Sequence, residues 1–256
     1  MIAAGISYRE RGAGQPVVML HGIGSDAAAF ADLMAALPDA RCIAWSMPGY
    51  DASPPLSSDP PTFAALSSAL SRFLEALAMP RVHLVGHSIG GMLALEHAMR
   101  VPEQVETLTL IGTTAAFGGR DDSFKEAFLT ARLAPLDVGL TMAEMGVEAA
   151  PHLCGPNTSA ATLAAVAEGI GRVPEATWRA ILQCLVTFNR RDDLSAIPHR
   201  TCLIAGTHDS NAPAKTMARM ADTLPNAALH TLKEIGHMIP QEAPGRVAEI
   251  MRKFLS

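Results

Sequence analysis

Short, unbroken apolar runs punctuate the chain, and each is followed by a glycine. Val17-Val18-Met19-Leu20 leads into His21-Gly22, Cys42-Ile43-Ala44-Trp45 into Pro48-Gly49, and Val82-His83-Leu84-Val85 into Gly86. Leu108-Thr109-Leu110-Ile111 leads into Gly112, and Cys202-Leu203-Ile204-Ala205 into Gly206. Runs of this length without polar alternation suit strands buried on both faces of a parallel sheet, and the glycines mark sharp turns. Ile6-Ser7-Tyr8-Arg9-Glu10 alternates instead and predicts an antiparallel edge strand; a last strand is expected over 228–233. Helical periods fill the gaps at 27–37, 62–77, 89–99, 214–224 and 246–255. Alternating strands and helices predict an α/β fold with helices on both faces of the sheet.

One stretch breaks this rhythm. Over 115–191 the pattern is helical at 124–133, 163–170 and 175–188, with no buried strand. The economical reading is a core of 1–114 and 192–256 with a helical cap, or lid, at 115–191. Insertions at the C-terminal edge of such sheets commonly cover the ligand crevice. Met142 and Met145 fall in this stretch, where they could soften a substrate pocket but are more simply read as filling irregular core packing.

Composition narrows the partners. Nearly half of the 256 residues are hydrophobic (49%), enough for a sizeable single core. A net charge of −5 gives no electrostatic reason to bind nucleic acid or an anionic membrane surface. Cys42, Cys154, Cys184 and Cys202 lack metal-site spacing and are expected to be reduced and mostly buried. The N-terminus has no basic segment ahead of a long apolar one, and no apolar run reaches membrane length. A soluble, cytoplasmic protein acting on a small molecule, with no metal or cofactor, is the expectation.

The chemistry gathers at predicted strand ends. Gly86-His87-Ser88-Ile89-Gly90 fits G-x-S-x-G after a buried strand and before a helix, which would project the Ser88 hydroxyl above the sheet as a nucleophile. Read structurally, Ser88 would be only a helix cap after a glycine turn. Three other sites favour chemistry. His21-Gly22-Ile23-Gly24 is placed to supply one oxyanion amide, that of Ile23, while Ile89 supplies the other. Asp209 follows Gly206-Thr207-His208 and can orient a histidine; it is preferred over Asp192 and Asp193 because it ends a core strand. His237, after Gly236, is the candidate base; His83 and His97 lie inside elements, His208 is expected to be solvated, and His87 to help pack the serine turn. The order Ser88, Asp209, His237 is that of α/β-hydrolases and differs from those of chymotrypsin and subtilisin.

On these residues the chain resembles the α/β-hydrolase superfamily over its whole length. The phrases HGIGSDAAAF, AWSMPGYDAS, HLVGHSIGGMLALEHA, IAGTHDSNAP and GHMIPQEAP look most like 3-oxoadipate enol-lactonases and related esterases. The resemblance implies an eight-stranded, mostly parallel sheet with a helical cap after the sixth strand, and hydrolysis of an ester or lactone by Ser88, Asp209 and His237. Two departures stand out. Asp51 replaces the glycine of the family's PGYG turn, though aspartate tolerates a left-handed backbone. The cap matches only loosely, so the substrate is not set by the fold. A dicarboxylate lactone would need a cation in its pocket, for which Arg120, Arg132, Arg190 and Arg191 are candidates. A carbon–carbon bond hydrolase of the meta-cleavage type is the nearest rival, although such enzymes often carry Asn at the position of His87. A ligand-binding receptor on the same fold, with marginal turnover, is a rival of another class.

Overall fold

The computed structural model describes residues 1–118 and 122–255. Eight strands form one sheet: β1 (Ile2–Ala3), β2 (Ile6–Arg11), β3 (Gln15–Leu20), β4 (Ala40–Trp45), β5 (Val82–His87), β6 (Val105–Ile111), β7 (Thr201–Gly206) and β8 (Ala227–Leu232). Their order is β1-β2-β4-β3-β5-β6-β7-β8. The pairs β1–β2 and β2–β4 are antiparallel and all others parallel. β2 is antiparallel as its alternation predicts, but it is not the edge. The two-residue β1, too short to show a period, covers its outer side.

The continuous apolar runs are explained by the two faces they serve. Val18, Leu20, Ile43, Trp45, Leu84, Leu108, Leu110 and Leu203 pack to one side. Their neighbours Val17, Met19, Cys42, Ala44, Val85, Ile111, Cys202 and Ile204 pack to the other. The first face is covered by α2 (Phe63–Ala76), α3 (Ile89–Arg100) and α8 (Ala214–Thr223), the second by α1 (Ala31–Ala35) and α10 (Pro244–Leu255). Every residue of β5 and β7 is buried. Burial on both faces leaves no solvent side on which polar residues could alternate.

The helix expected over 27–37 divides in two. Asp26 accepts from the Ala28 amide, and the chain tightens into a 3₁₀ turn over Ala27–Phe30 before the single helical turn of α1. Between β6 and β7 the described residues form α4 (Asp122–Asp137), α5 (Met142–Leu153), α6 (Ala160–Gly171) and α7 (Glu175–Leu185). The ends of this insertion are sewn together, Phe117 N–H donating to Phe188 O (2.8 Å) and Arg190 N–H to Ala115 O (2.8 Å). The pattern misses α5, because Gly146 and Pro151 interrupt it. Its start is nonetheless written as a capping box: Thr141 accepts from the Glu144 amide while the Glu144 carboxylate accepts from Thr141. Gly146 serves close packing, since a Cβ there would collide with the Ala167 carbonyl of α6. A four-residue helix, α9 (Ile239–Glu242), precedes α10. No helix among the described residues is long and apolar enough to cross a membrane.

Arg190 pins the insertion to α3. Its Nε and Nη2 donate to both oxygens of Glu96 (2.7 and 3.1 Å), and the Glu96 side chain is 3% exposed. A carboxylate this buried depends on its partner. Arg190→Ala should therefore lower unfolding free energy by about 2–3 kcal/mol in urea titrations, the cost reduced because the arginine itself is partly solvated. The double variant with Glu96→Gln should recover part of that loss.

Candidate active site

The turn between β5 and α3 holds Ser88 at φ 54°, ψ −123°, a left-handed conformation unusual for a residue with a side chain. Neighbours hold it there. Ser88 N–H donates to Ile111 O (3.0 Å), and Thr113 Oγ1 donates to Ser88 O (2.7 Å). A Cβ on Gly90 would collide with the carbonyls of Leu20 and His21, so α3 starts hard against the end of β3. A Cβ on Gly86 would meet the Gly90 backbone. The glycines of the motif are thus required by contact, and the hydroxyl stands at the floor of a cavity.

His237 and Asp209 arrive from loops after β8 and β7. The Ser88 hydroxyl lies 3.1 Å from His237 Nε2, and His237 Nδ1 lies 2.8 Å from Asp209 Oδ2. One tautomer satisfies both contacts: Nδ1–H donates to the carboxylate and Nε2 accepts from the hydroxyl. The second Asp209 oxygen accepts from the amides of Asn211 (2.8 Å) and Ala212 (2.9 Å). Burial pushes the Asp209 carboxyl up, but the His237 hydrogen bond and charge and these two amides outweigh it and hold the pKa below the usual carboxylate range. The sequence-predicted Ser88, Asp209 and His237 are therefore brought into one hydrogen-bonded chain. His208 is exposed, its Nδ1 3.2 Å from Thr207 Oγ1.

The loop after β3 is braced by residues whose part in the site the sequence does not announce. His21 Nδ1–H donates to Gly22 O (2.8 Å), and its Nε2 accepts from Met47 N–H (2.9 Å). Burial pushes this ring down to about 4, so it is neutral with both nitrogens satisfied. Ser25 also donates to Gly22 O through its hydroxyl (3.2 Å) and amide (3.3 Å). In a trans peptide the C=O and N–H point opposite ways, so holding the Gly22 carbonyl turns the Ile23 N–H away from those donors. Neither the Ile23 nor the Ile89 amide has a protein acceptor among the described residues, and Ile23 and Ser88 line the same cavity. Tyr50 adds a brace from its hydroxyl to Ile23 O (2.9 Å). Asp51 takes φ 50°, as its place in the turn predicts, and accepts from the Ser7 hydroxyl (2.6 Å). His87 does more than pack the turn: its Nε2–H donates to His237 O (2.8 Å), and burial, helped by the neighbouring His237, pushes its ring down to about 3.

The cavity measures about 1270 Å³. Its insertion side is mainly apolar, with Phe124, Phe128, Val147, Trp178 and Leu182. Of the candidate cations, Arg132 lines it while stacking on Phe128 (4.7 Å), and Arg191 lines it with no anionic partner among the described residues. Arg190 is committed to Glu96, and Arg120 lies outside the described residues. Arg219 of α8 also lines the cavity; attention to the insertion alone overlooks it. All four cysteines are free thiols, and burial raises each, Cys42 to about 11 and the others to about 12, which disfavours thiolate nucleophiles.

Residues 15–244 match the α/β-hydrolase fold family. A 2-hydroxymuconate semialdehyde hydrolase of Pseudomonas sp. (strain CF600) is 29% identical over all of this chain and 93% of its own length. A RutD protein of Variovorax paradoxus (strain S110), named for carbamate hydrolysis, is 31% identical over 88% of this chain and 85% of its own. Among solved structures, the enol-lactonase from Burkholderia xenovorans LB400 superposes with a TM-score of 0.86 at 19% identity, over 98% of this chain and 96% of that one, and so shares its fold. With nine-tenths of its length matching the family, the chain belongs to the α/β-hydrolases.

Proposed function

We propose that this hydrolase opens a carboxylic ester or lactone through an acyl-enzyme formed on Ser88. The hydrogen-bonded line from Ser88 to His237 to Asp209 at the cavity floor carries the reading. Ser88 Oγ attacks the carbonyl carbon as His237 Nε2 takes its proton; Asp209 holds the other nitrogen and stabilises the imidazolium. The amides of Ile23 and Ile89 receive the oxyanion, and His237 returns its proton to the departing alkoxide. Water then attacks the acyl carbon with His237 as base, releasing the acid and restoring Ser88. Residues 115–191 act as the cap that selects the substrate. The partner is a small molecule, not nucleic acid or a membrane, and four free thiols support a cytoplasmic location.

Arg191 and Arg219 favour a substrate that carries a carboxylate, as an enol-lactone dicarboxylate does. A second reading, hydrolysis of a carbon–carbon bond, is supported by the relative named 2-hydroxymuconate semialdehyde hydrolase. There the leaving group is a carbanion, which must also be protonated.

A panel of p-nitrophenyl acetate, simple lactones, enol-lactone dicarboxylates and meta-cleavage dienoates separates these readings. Turnover of the ester or a lactone is expected; turnover of the dienoate alone selects the second, and no turnover on any is the result that a receptor would give. Ser88→Ala and Asp209→Asn should each cut kcat by about 10⁴-fold or more, and wild-type turnover by Ser88→Ala would overturn the mechanism. Arg219→Ala should raise KM for a carboxylate-bearing substrate several-fold while leaving p-nitrophenyl acetate unaffected. Acid stability gives a further test. His21 and His97 are held down to about 4 and His87 to about 3, against an ordinary value of 6.5. Below pH 6.5 the unfolded chain takes up protons that the folded chain refuses, so stability falls as pH falls towards those values. Each site contributes at most about 1.4 kcal/mol per pH unit. The urea midpoint should drop between pH 7 and pH 5; a flat profile would contradict neutral buried histidines.

A further inference from the structure

Glu242, at the end of α9, places one carboxylate oxygen against three donors from two parts of the chain. Its Oε2 accepts from Gly155 N–H (2.6 Å) and Thr158 Oγ1 (2.8 Å), both in the connection between α5 and α6 of the insertion. The same oxygen accepts from Gly236 N–H (3.0 Å), the residue immediately before His237. Beside this junction His237 N–H donates to Leu153 O (2.6 Å), the last residue of α5, and Asn157 Nδ2 donates to Glu234 Oε1 (3.0 Å). The two backbones touch without room for side chains. A Cβ on Gly236 would lie 2.5 Å from Leu153 O and 2.6 Å from Gly155 N, and one on Gly155 would collide with the Glu234 carbonyl.

We infer that Glu242 is a positioning residue that joins the helical insertion to the His237 loop, so that the insertion itself holds the base in line with Ser88. The inference rests on the base role proposed above for His237. Glu242 and Thr158 do not line the cavity, so neither touches substrate. The His237 loop also meets the core through His87, which holds its carbonyl, through Asp209, and through the loop after β7, where His208 N–H donates to Ile235 O (2.9 Å) and Glu234 N–H to Thr207 Oγ1 (2.9 Å). Without the carboxylate, the amides of Gly155 and Gly236 lose their common acceptor, and the link between the insertion and the residue before His237 loosens. A hydrogen bond to a charged acceptor is about twice as strong as a neutral one, which is why glutamate suits this place. Its partners on the insertion lie 84 and 87 residues away in the chain, so the junction also closes a long loop.

The test compares Glu242→Ala, Glu242→Gln and Thr158→Val in the full chain, with kcat and KM for p-nitrophenyl acetate taken well below each melting temperature. Sub-ångström to ångström displacement of a base costs up to about 10²-fold in rate. Glu242→Ala should lower kcat by about 10–10²-fold with KM within about two-fold. Glu242→Gln, which keeps one acceptor oxygen, should restore most of the loss, and Thr158→Val should lower kcat a few-fold. The downfield proton resonance of His237 Nδ1–H against Asp209 should broaden or shift in Glu242→Ala and return in Glu242→Gln. This resonance needs no substrate and persists in Ser88→Ala, so it tests the junction even if the acyl-enzyme reading fails. Unchanged kcat and an unchanged resonance in folded Glu242→Ala, or in folded Thr158→Val should Glu242→Ala not fold, would overturn the inference. A fall in melting temperature alone would do the same.

Discussion

Everything at the site depends on one backbone conformation, the left-handed turn at Ser88. A side chain held at φ 54° costs on the order of 1–3 kcal/mol, so the conformation persists only where surroundings over-determine it. They do so here by contact and by hydrogen bond. Gly90 lets α3 begin against the carbonyls of Leu20 and His21, while Thr113 and Ile111 hold the Ser88 peptide groups from β6 and the loop after it. The strain is supported by two neighbouring strands, β3 and β6, which are themselves buried on both faces. A parallel sheet supplies such support because all its C-terminal ends lie on one side.

Around that turn, polar groups are buried in a condition that costs least. His21 and His87 are neutral, and their hydrogen bonds brace neighbouring backbone carbonyls, Gly22 and His237. In the proposed mechanism, a charged imidazolium at either place would repel the one formed on His237. Asp209 is the one carboxylate in the line, and it is ionised because two amides and His237 replace the water it has lost. The site therefore concentrates its charge change on one ring and keeps the others as fixed dipoles.

The parts of this arrangement that were legible in the sequence share a local signature. Ser88, Ile23 and Asp209 each follow a run such as Val82 to Val85 whose continuity reports burial on both faces, and a glycine reports the turn. His237 follows the weaker, partly exposed β8, and was found by its glycine and its place in the order of the triad. What escaped has a weak local signature or none. The two residues of β1 show no period, and α5 hides behind Gly146 and Pro151, although Thr141 and Glu144 did carry its capping signal. Arg190 and Arg191 read alike as insertion cations, yet only the structure reveals that Glu96, 94 residues earlier, claims the first. Glu242 escaped for the same reason: its donors are chiefly backbone amides, which no residue type announces.

The insertion consequently has two faces with different obligations. Phe128, Val147 and Trp178 line the cavity and make no hydrogen bond to the His237 loop among the described residues. Gly155 and Thr158 lie away from the cavity and face Glu242, where a side chain on Gly155 would strike the Glu234 carbonyl. In the proposed reaction, substrate choice and placement of the base would thus fall to different sides of one segment, which meet at Leu153. Its side chain borders the cavity while its carbonyl holds the His237 amide. A segment built this way can change along one side without moving the His237 loop on the other.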